Sequence, residues 1–128
     1  MKKYIGTQQV EAESMTMGEA YKRNLLQKGK VPNDSEKDNF GFYVRCQDGC
    51  ENWLPAETFC KVYKIADTPL ERMIIEHQEL RDKINKLEKF FGSSYFQCLS
   101  LMTKELIAMQ LHIMIEYSLI LKERINNM

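Results

Sequence analysis

The chain has 128 residues, which is enough for one domain or for a small unit with an appendage. Its 18 basic and 18 acidic residues cancel and form no polybasic run, so the sequence carries no electrostatic signature of binding to duplex nucleic acid or to an anionic membrane. Because Met1 is followed by a polar stretch, we expect no signal peptide and a soluble, cytosolic protein.

The first half of the chain predicts short strands and short helices. Residues 1–15 alternate loosely, as a strand does, and a capping box at Thr16 predicts a short helix that ends near Gly29. Aromatic-rich runs on both sides of Asp48-Gly49 predict a β-hairpin, after which another short helix begins. Residues 1–66 should therefore form a small α+β unit that is marginal as an independent fold.

The hairpin contains two cysteines and the only tryptophan of the chain. A three-residue loop would place Cys46 and Cys50 directly opposite each other, whereas a two-residue loop would put them on opposite faces. We expect reduced strand thiols in a cytosolic chain, and a zinc site would need two more ligands that the neighbouring sequence does not offer. Trp53 is expected to be a core residue, with a recognition surface as the alternative.

The second half predicts two long helices, and the first of them begins at Thr68. Thr68-Pro69-Leu70-Glu71 is a capping box with proline at the first helical position. Apolar residues and one histidine then recur in heptads, at Leu70, Met73, His77, Leu80, Ile84, Leu87 and Phe91. Gly92 is expected to end this helix as a C′ residue, and Ser94 offers a second capping box.

The second helix has more apolar surface than one partner helix can cover. Residues 106–121 are interrupted only by Gln110, His112, Glu116 and Ser118, and the run is too short and too polar for a membrane span. A helix that is apolar on most faces must be buried on most faces. We therefore expect residues 67–128 to form a helical hairpin that builds a homo-oligomer larger than a dimer. The expected contact residues are Ile107, Leu111, Ile115 and Leu119.

One stripe on the second helix has the chemistry of a ligand site. Gln110, Met114, Tyr117, Leu121 and Arg124 are spaced four and three residues apart, so they share one helical face. An aromatic ring can stack on the base of a nucleotide, an arginine can form paired hydrogen bonds to its phosphate, and an amide can form hydrogen bonds to the edge of the base. Because this spacing is also the ordinary core period, packing is the alternative. The candidate ligand-binding residues are Phe90, Phe91, Gln110, Met114, Tyr117 and Arg124.

Motifs of catalysis are missing from the sequence. It has no Gly-x-Ser-x-Gly, no P-loop and no Gly-x-Gly-x-x-Gly. His77 lies on a heptad seam and is expected to be packed or at an interface, and we expect the same of His112. We therefore expect a protein that is not an enzyme and that uses no cofactor and no metal.

Motifs along nearly the whole chain resemble a family of phage and prophage proteins. They lie at residues 1–7, 10–13, 15–21, 41–45, 48–49, 51–59 and 72–76, and at Leu80, Lys83, Leu87, Phe90, Gln110, Met114, Tyr117, Leu121, Arg124 and Ile125. This pattern resembles the first-described Thoeris anti-defence family, whose helical hairpin is shared with an anti-CBASS sponge family.

The resemblance implies a viral decoy that acts in the cytoplasm of the infected bacterial host. Such proteins sequester cyclic nucleotide immune signals without cleaving them. The implied ligands are the glycocyclic ADP-ribose of Thoeris and, in the wider family, cyclic di- and trinucleotides of CBASS. The resemblance also implies a homo-oligomer, a hexamer, with ligand pockets at subunit interfaces. The alternative is a structural or adaptor phage protein that assembles through the same hairpin and binds no small ligand.

Overall fold

The computed structural model describes all residues, 1–128. The elements in chain order are β1 (Val10–Thr16), α1 (Met17–Lys22), β2 (Phe40–Cys46), β3 (Glu51–Pro55), α2 (Ala56–Val62), α3 (Pro69–Phe91), α4 (Ser94–Gln97) and α5 (Leu101–Asn126). Contacts within the chain divide it into two compact units, residues 1–63 and residues 64–128. The first unit holds all the strands and the second holds the long helices, so the predicted α+β class is confirmed.

The first unit is built on a three-stranded antiparallel sheet with β2 in the centre. Alternate residues of β2 point to opposite faces, and each face carries one short helix. On one face the rings of Phe42 on β2 and Phe59 on α2 stack with centroids 4.2 Å apart, and this contact packs α2 against the sheet. On the other face lies Arg23, the residue that follows α1. One of its guanidinium nitrogens is 3.8 Å from a carboxylate oxygen of Glu13, and its guanidinium carbon is 5.8 Å from the centroid of the Tyr43 ring.

A tryptophan side chain crosses the central strand of this sheet. The indole Nε1 of Trp53 on β3 donates a hydrogen bond to the carbonyl oxygen of Met15 on β1, at 2.9 Å. The indole passes over Gly41, where an added Cβ would lie 2.4 Å from the ring. Trp53 joins the two outer strands, but it is half-buried and is not the fully buried core residue that the sequence predicts.

The hairpin turn has three residues, which resolves the placement of the two cysteines. Arg45 pairs with Glu51, and the N–H of Cys46 donates to the carbonyl of Cys50 at 2.8 Å. Cys46 and Cys50 are therefore directly opposite each other. Gly49 has φ +89°, in the left-handed region that favours glycine. All four cysteines of the chain are free thiols.

Helix α1 begins as expected and ends earlier than expected. The Thr16 hydroxyl accepts the N–H of Glu19 at 3.2 Å, so the predicted N-cap is confirmed. The helix ends at Lys22 because Asn24 adopts φ +58° and forms a Schellman cap. In that cap the N–H of Leu25 donates to the carbonyl of Ala20 at 2.9 Å. Gly29, the expected end of the helix, lies in the following loop.

The second unit is a hairpin of α3 and α5 around a small apolar core. Its buried side chains are Met73, Leu80, Ile84 and Leu121, with Leu111, Met114 and Ile125 packed against them. Every predicted heptad position of α3 is buried or half-buried, which confirms the seam. The predicted capping box is also present: Thr68 Oγ1 accepts from the N–H of Glu71 at 3.1 Å, and Glu71 Oε1 accepts from the N–H of Thr68 at 2.9 Å.

Two expectations about the connection between the long helices were wrong in detail. Gly92 follows α3 but has φ −84°, so it is not a left-handed C′ residue. The short helix α4 is capped by Ser93, whose hydroxyl accepts the N–H of Phe96 at 3.3 Å, and not by Ser94. Ser100 caps α5 by accepting the N–H of Thr103 at 3.3 Å. None of the helices combines the length and the sustained hydropathy of a membrane-crossing segment.

Candidate functional site

The hairpin leaves a second apolar stripe of α5 uncovered. The positions that face α3 are buried or half-buried, and they are Ile107, Leu111, Met114, Ser118, Leu121 and Ile125. A second set, which we call the outer stripe, shares another helical face and is 59–73 % exposed. The outer stripe consists of Met102, Leu106, Met109, Ile113 and Ile120. The excess apolar surface expected from the sequence is therefore present, and it lies outside the hairpin core.

The expected contact face of α5 requires a correction. Leu111 packs against the hairpin core and Ile107 is half-buried on the same face, so these two residues serve the α3–α5 contact. Ile115 and Leu119 are 37 % and 59 % exposed and remain available to a partner. The four residues thus divide between two faces, because residues spaced four apart shift by about 40° around the helix at each step.

Two side-chain pairs join α3 and α5, and we call them the cross-hairpin polar cluster. The Tyr117 hydroxyl donates a hydrogen bond to the Glu76 carboxylate. Next to it, Ser118 Oγ lies 3.4 Å from His77 Nε2, and Ser118 is 3 % exposed. His77 is thus a packed histidine, as expected, and it gives the buried hydroxyl of Ser118 a partner.

His112 behaves differently from His77. Its side chain is 73 % exposed, and its Nε2 lies 3.1 Å from a carboxylate oxygen of Glu116, one turn further along α5. His112 is therefore not packed within a single chain, and the other expectation, that it lies at an interface between chains, stays a prediction. The residue lies on the solvent side of the hairpin, where a partner chain could reach it.

The hydrogen bond to Glu76 alters the acidity of Tyr117. That bond, together with partial burial and the negative charge of Glu76, raises the pKa of Tyr117 above its ordinary value. The positive charge of Arg124 acts in the opposite direction, so Arg124 is electrostatically coupled to Tyr117. The Tyr117 phenol therefore stays protonated, with its hydrogen directed at Glu76 and its oxygen lone pairs available as acceptors.

Phe90 and Phe91 lie at the opposite end of the hairpin from Arg124. Their rings pack on Phe96 of α4, with centroids 5.9 Å and 4.4 Å apart, and the Lys104 ammonium lies 5.7 Å from the centroid of Phe96. We call Phe90, Phe91 and Phe96 the aromatic cluster.

The position of each residue along the hairpin axis, which we call its level, follows from the antiparallel pairing of His77 with Ser118. Counted from that pair, Phe91 is level with the first turn of α5. Arg124 is then about 20 residues away along the helix axis, or roughly 30 Å at about 1.5 Å per residue. One hairpin does not bring the aromatic cluster and Arg124 into the same pocket.

The predicted ligand stripe is partly a packing face. Leu121 is fully buried and Met114 packs on the core, so the packing alternative holds for these two residues. Gln110 and Arg124 are exposed, and Tyr117 is 41 % exposed beside Glu76. Of the predicted ligand stripe, only Gln110, Tyr117 and Arg124 can therefore contact a ligand directly.

Two residues of this region were not predicted as site residues. Glu76 lies between heptad positions, and the sequence pattern indicates only an ordinary charged residue on the surface. Phe96 lies in the short connection, where its spacing of five residues from Phe91 predicts no shared helical face. The available signal for Phe96 was the local density of aromatic residues.

Two open depressions lie away from these residues. One, of about 340 Å³ in the first unit, is lined by Tyr21, Asn24, Leu26, Gln27, Lys28, Gly29 and Lys30. The other, of about 370 Å³ in the second unit, is lined by Lys64, Ile65, Glu71, Ile74, Ile75 and Gln78. Neither contains a residue of the predicted site, so that site is an open surface within one chain.

These features define an α+β protein whose helical hairpin exposes an apolar stripe and carries a polar cluster and an aromatic cluster. Residues 67–127 match the model of the Sequestin family, so the helical hairpin of this chain is similar to that family. The match covers α3, α4 and α5 and leaves the strand-containing unit outside it. No curated protein and no solved structure matches the chain.

Proposed function

We propose that this protein binds a cyclic nucleotide immune signal and sequesters it without cleaving it. The observation that carries the proposal is the match of the hairpin to the Sequestin family, a name that denotes sequestration. The resemblance to the Thoeris anti-defence family gives the ligand class, which is glycocyclic ADP-ribose or a cyclic di- or trinucleotide of CBASS. In this proposal the protein is made by a phage and acts in the cytoplasm of the infected bacterium.

The ligand pocket in this proposal forms between copies of the chain. A nucleotide needs a stacking plane and a phosphate-binding cation within a few ångströms, and one hairpin keeps these groups roughly 30 Å apart along its axis. Hairpins that pack through their outer stripes in opposite directions would bring the aromatic cluster of one copy near Arg124 of the other. The expected number of copies, by resemblance, is six.

Each candidate residue then has a separate task. Phe90 or Phe91 stacks on a base with the ring face that Phe96 does not cover, and Arg124 forms charge-assisted hydrogen bonds to phosphate. Gln110 reads a polar edge. Because the Tyr117 hydrogen points at Glu76, the phenol oxygen and that carboxylate both accept hydrogen bonds, which suits ribose hydroxyls. Met114, which packs on the hairpin core, supports the wall that Tyr117 forms and does not itself contact the ligand.

Sequestration without turnover is tested directly by the fate of the ligand. The protein is incubated with a stoichiometric amount of a cyclic nucleotide and then denatured by heat, and the released molecule is identified by mass spectrometry. We expect the intact cyclic compound, because the sequence contains no activated nucleophile motif. Recovery of a linear or hydrolysed product would overturn this part of the proposal and favour an enzyme.

Replacing Arg124 tests the phosphate contact. Loss of a charge-assisted hydrogen bond costs about 1.5–3 kcal/mol, so Arg124→Ala should weaken binding roughly ten- to a hundredfold. Lys122→Ala is the matched control, since Lys122 is an exposed cation two residues away on a different helical face. Titration calorimetry measures both variants, with oligomer size checked in parallel. Equal losses in the two variants would indicate a nonspecific charge effect.

Phe91→Ala tests the other half of the pocket. We expect weaker binding from this variant as well, because the Phe91 ring is only half-buried and its exposed part is lost for stacking on a base. If Phe91→Ala and Arg124→Ala both bind like the parent protein, the pocket lies elsewhere.

The second candidate function is a structural or adaptor role. The outer stripe favours it, because assembly through an apolar helix face requires no ligand. A stable assembly that carries no nucleotide after purification and binds none of the tested cyclic compounds would support this candidate.

A further inference from the structure

The turn of the β2–β3 hairpin holds two thiols in positions that a disulfide can span. Cys46 and Cys50 are opposed across antiparallel strands, and the N–H of Cys46 donates to the carbonyl of Cys50 at 2.8 Å. Hydrogen-bonded pairs of this kind have Cα atoms about 5.5 Å apart and side chains on the same face. Disulfides join Cα atoms about 4.4–6.8 Å apart, so the backbone already has the required spacing.

The two thiols have different surroundings. Cys50 is exposed, and its sulfur lies 4.0 Å from the side-chain nitrogen of Asn52. Cys46 is half-buried; its burial, followed by the nearby Cys50 and Asp48 groups, raises the pKa of the Cys46 thiol. The thiolate is the attacking form, and the raised pKa of Cys46 lowers its thiolate fraction, so the exposed Cys50 is the thiol that reacts first with an external reagent. Cys46 then lies next to the disulfide that Cys50 forms with that reagent.

We propose that Cys46 and Cys50 are a dithiol modification site that closes to an intramolecular disulfide by exchange with a small-molecule disulfide such as oxidised glutathione. The Cys50 thiolate attacks one sulfur of oxidised glutathione, which forms a mixed disulfide and releases one glutathione thiolate. The Cys46 thiolate then attacks the Cys50 sulfur and releases the second glutathione. The two protein thiols lose two electrons and two protons, and one oxidised glutathione becomes two reduced molecules.

The disulfide would fix the register of the hairpin. β3 is an outer strand that pairs only with β2, and the bond would link the two strands at the closed end of their ladder. The remaining cysteines, Cys60 on α2 and Cys98 after α4, are exposed and lie outside the hairpin. They are competing sites of reaction and are removed for the test.

The test uses the full-length folded chain with Cys60→Ser and Cys98→Ser, treated with oxidised glutathione and analysed by intact mass and peptide mapping. We expect a loss of two hydrogen atoms, a Cys46–Cys50 link and no retained glutathione. Adding Cys46→Ser should trap one glutathione on Cys50, whereas adding Cys50→Ser should slow the formation of any adduct. Trp53 fluorescence verifies that each variant is folded.

The opposite results would overturn the proposal. They are a persistent glutathione adduct on Cys50 in the protein that retains both thiols, an absence of reaction at Cys50, or faster reaction of Cys46 in the Cys50→Ser variant than of Cys50 in the Cys46→Ser variant. The ligand-binding proposal is independent of each of these outcomes, since Cys46 and Cys50 belong to the first unit.

Discussion

Gly41 is the position in the sheet where a side chain has no space. An added Cβ would lie 2.4 Å from the Trp53 ring and 2.4 Å from the Leu54 carbonyl oxygen. Either the indole or the strand would have to move, so Gly41→Ala should lower the free energy of unfolding of the first unit by about 1–3 kcal/mol. Urea denaturation followed by Trp53 fluorescence measures this, because Trp53 is the only tryptophan of the chain.

Gly6→Ala is the matched control for Gly41→Ala. A Cβ at Gly6 would have no atom within 4 Å, so this variant should unfold like the parent protein. Equal midpoints for Gly41→Ala and the parent would mean that the indole does not lie over Gly41 in solution. The hydrogen bond from Trp53 to Met15 would then also be in doubt.

Tyr117 makes stability depend on pH in the alkaline range. Its pKa is raised above the ordinary value of about 10, first by the hydrogen bond to Glu76. The folded state therefore holds the phenolic proton more tightly than the unfolded state does. The resulting stabilisation is present below pH about 10 and is lost as the pH rises through the folded-state pKa.

The free energy of unfolding of the parent protein should consequently fall more steeply above pH about 10 than that of Tyr117→Phe. Urea denaturation followed by far-ultraviolet circular dichroism on both sides of that pH gives the two slopes. Tyr95→Phe is the control, since Tyr95 is 79 % exposed. If the slopes of Tyr117→Phe and the parent are equal, the Tyr117–Glu76 bond contributes nothing to the folded state.

The roles of single residues could be predicted from the sequence where one face of a helix is distinct. His77 falls on the only apolar seam of α3, so its packed position followed from the heptad pattern. His112 lies on α5, where apolar residues occur on nearly every face, and the pattern does not determine which face meets α3. The exposed position of His112 and the role of Glu76 therefore required the pairing of the two helices.

At the scale of elements, helix starts were easier to predict than helix ends. Thr68 and Glu71 have one arrangement in which both side chains cap the backbone, and the structure contains it. The end of α1 was ambiguous because both Asn24 and Gly29 can adopt the left-handed conformation, and both do so. Ser93 and Ser94 are adjacent and chemically equivalent, so the sequence alone could not assign the cap of α4.

The capping box at Thr68 gives the element-scale prediction. Thr68→Ala removes the oxygen that accepts the N–H of Glu71 at 3.1 Å, so it should destabilise α3 by about 1 kcal/mol. Thr58→Ala is the control because Thr58 is an exposed residue within α2, and we expect a change of at most about 0.5 kcal/mol. Circular dichroism during urea denaturation measures both. A loss from Thr58→Ala as large as that from Thr68→Ala would contradict the assignment of the cap.

At the scale of the whole molecule, the sequence predicted an excess of apolar surface but not its location. Helical spacing places residues on one face, and it gives no information on which residues of a partner helix lie at the same level. The antiparallel pairing of His77 with Ser118 supplies that level and separates Arg124 from Phe91. One chain therefore holds the candidate residues as two separate groups, and in the proposed function assembly brings these groups together.

Assembly through the outer stripe is the last prediction. Ile113 is 60 % exposed and lies outside the hairpin core, so Ile113→Asp should leave the single hairpin folded. The same variant should dissociate the homo-oligomer, because it would place an unpaired charge in a dry contact between copies. Asn85→Asp is the control, since Asn85 is exposed on α3. Sedimentation velocity should give an assembly larger than a dimer for the parent and Asn85→Asp, and a smaller species for Ile113→Asp with unchanged circular dichroism. A parent protein that is monomeric at micromolar concentration, or an Ile113→Asp variant that assembles fully, would contradict the role of the stripe.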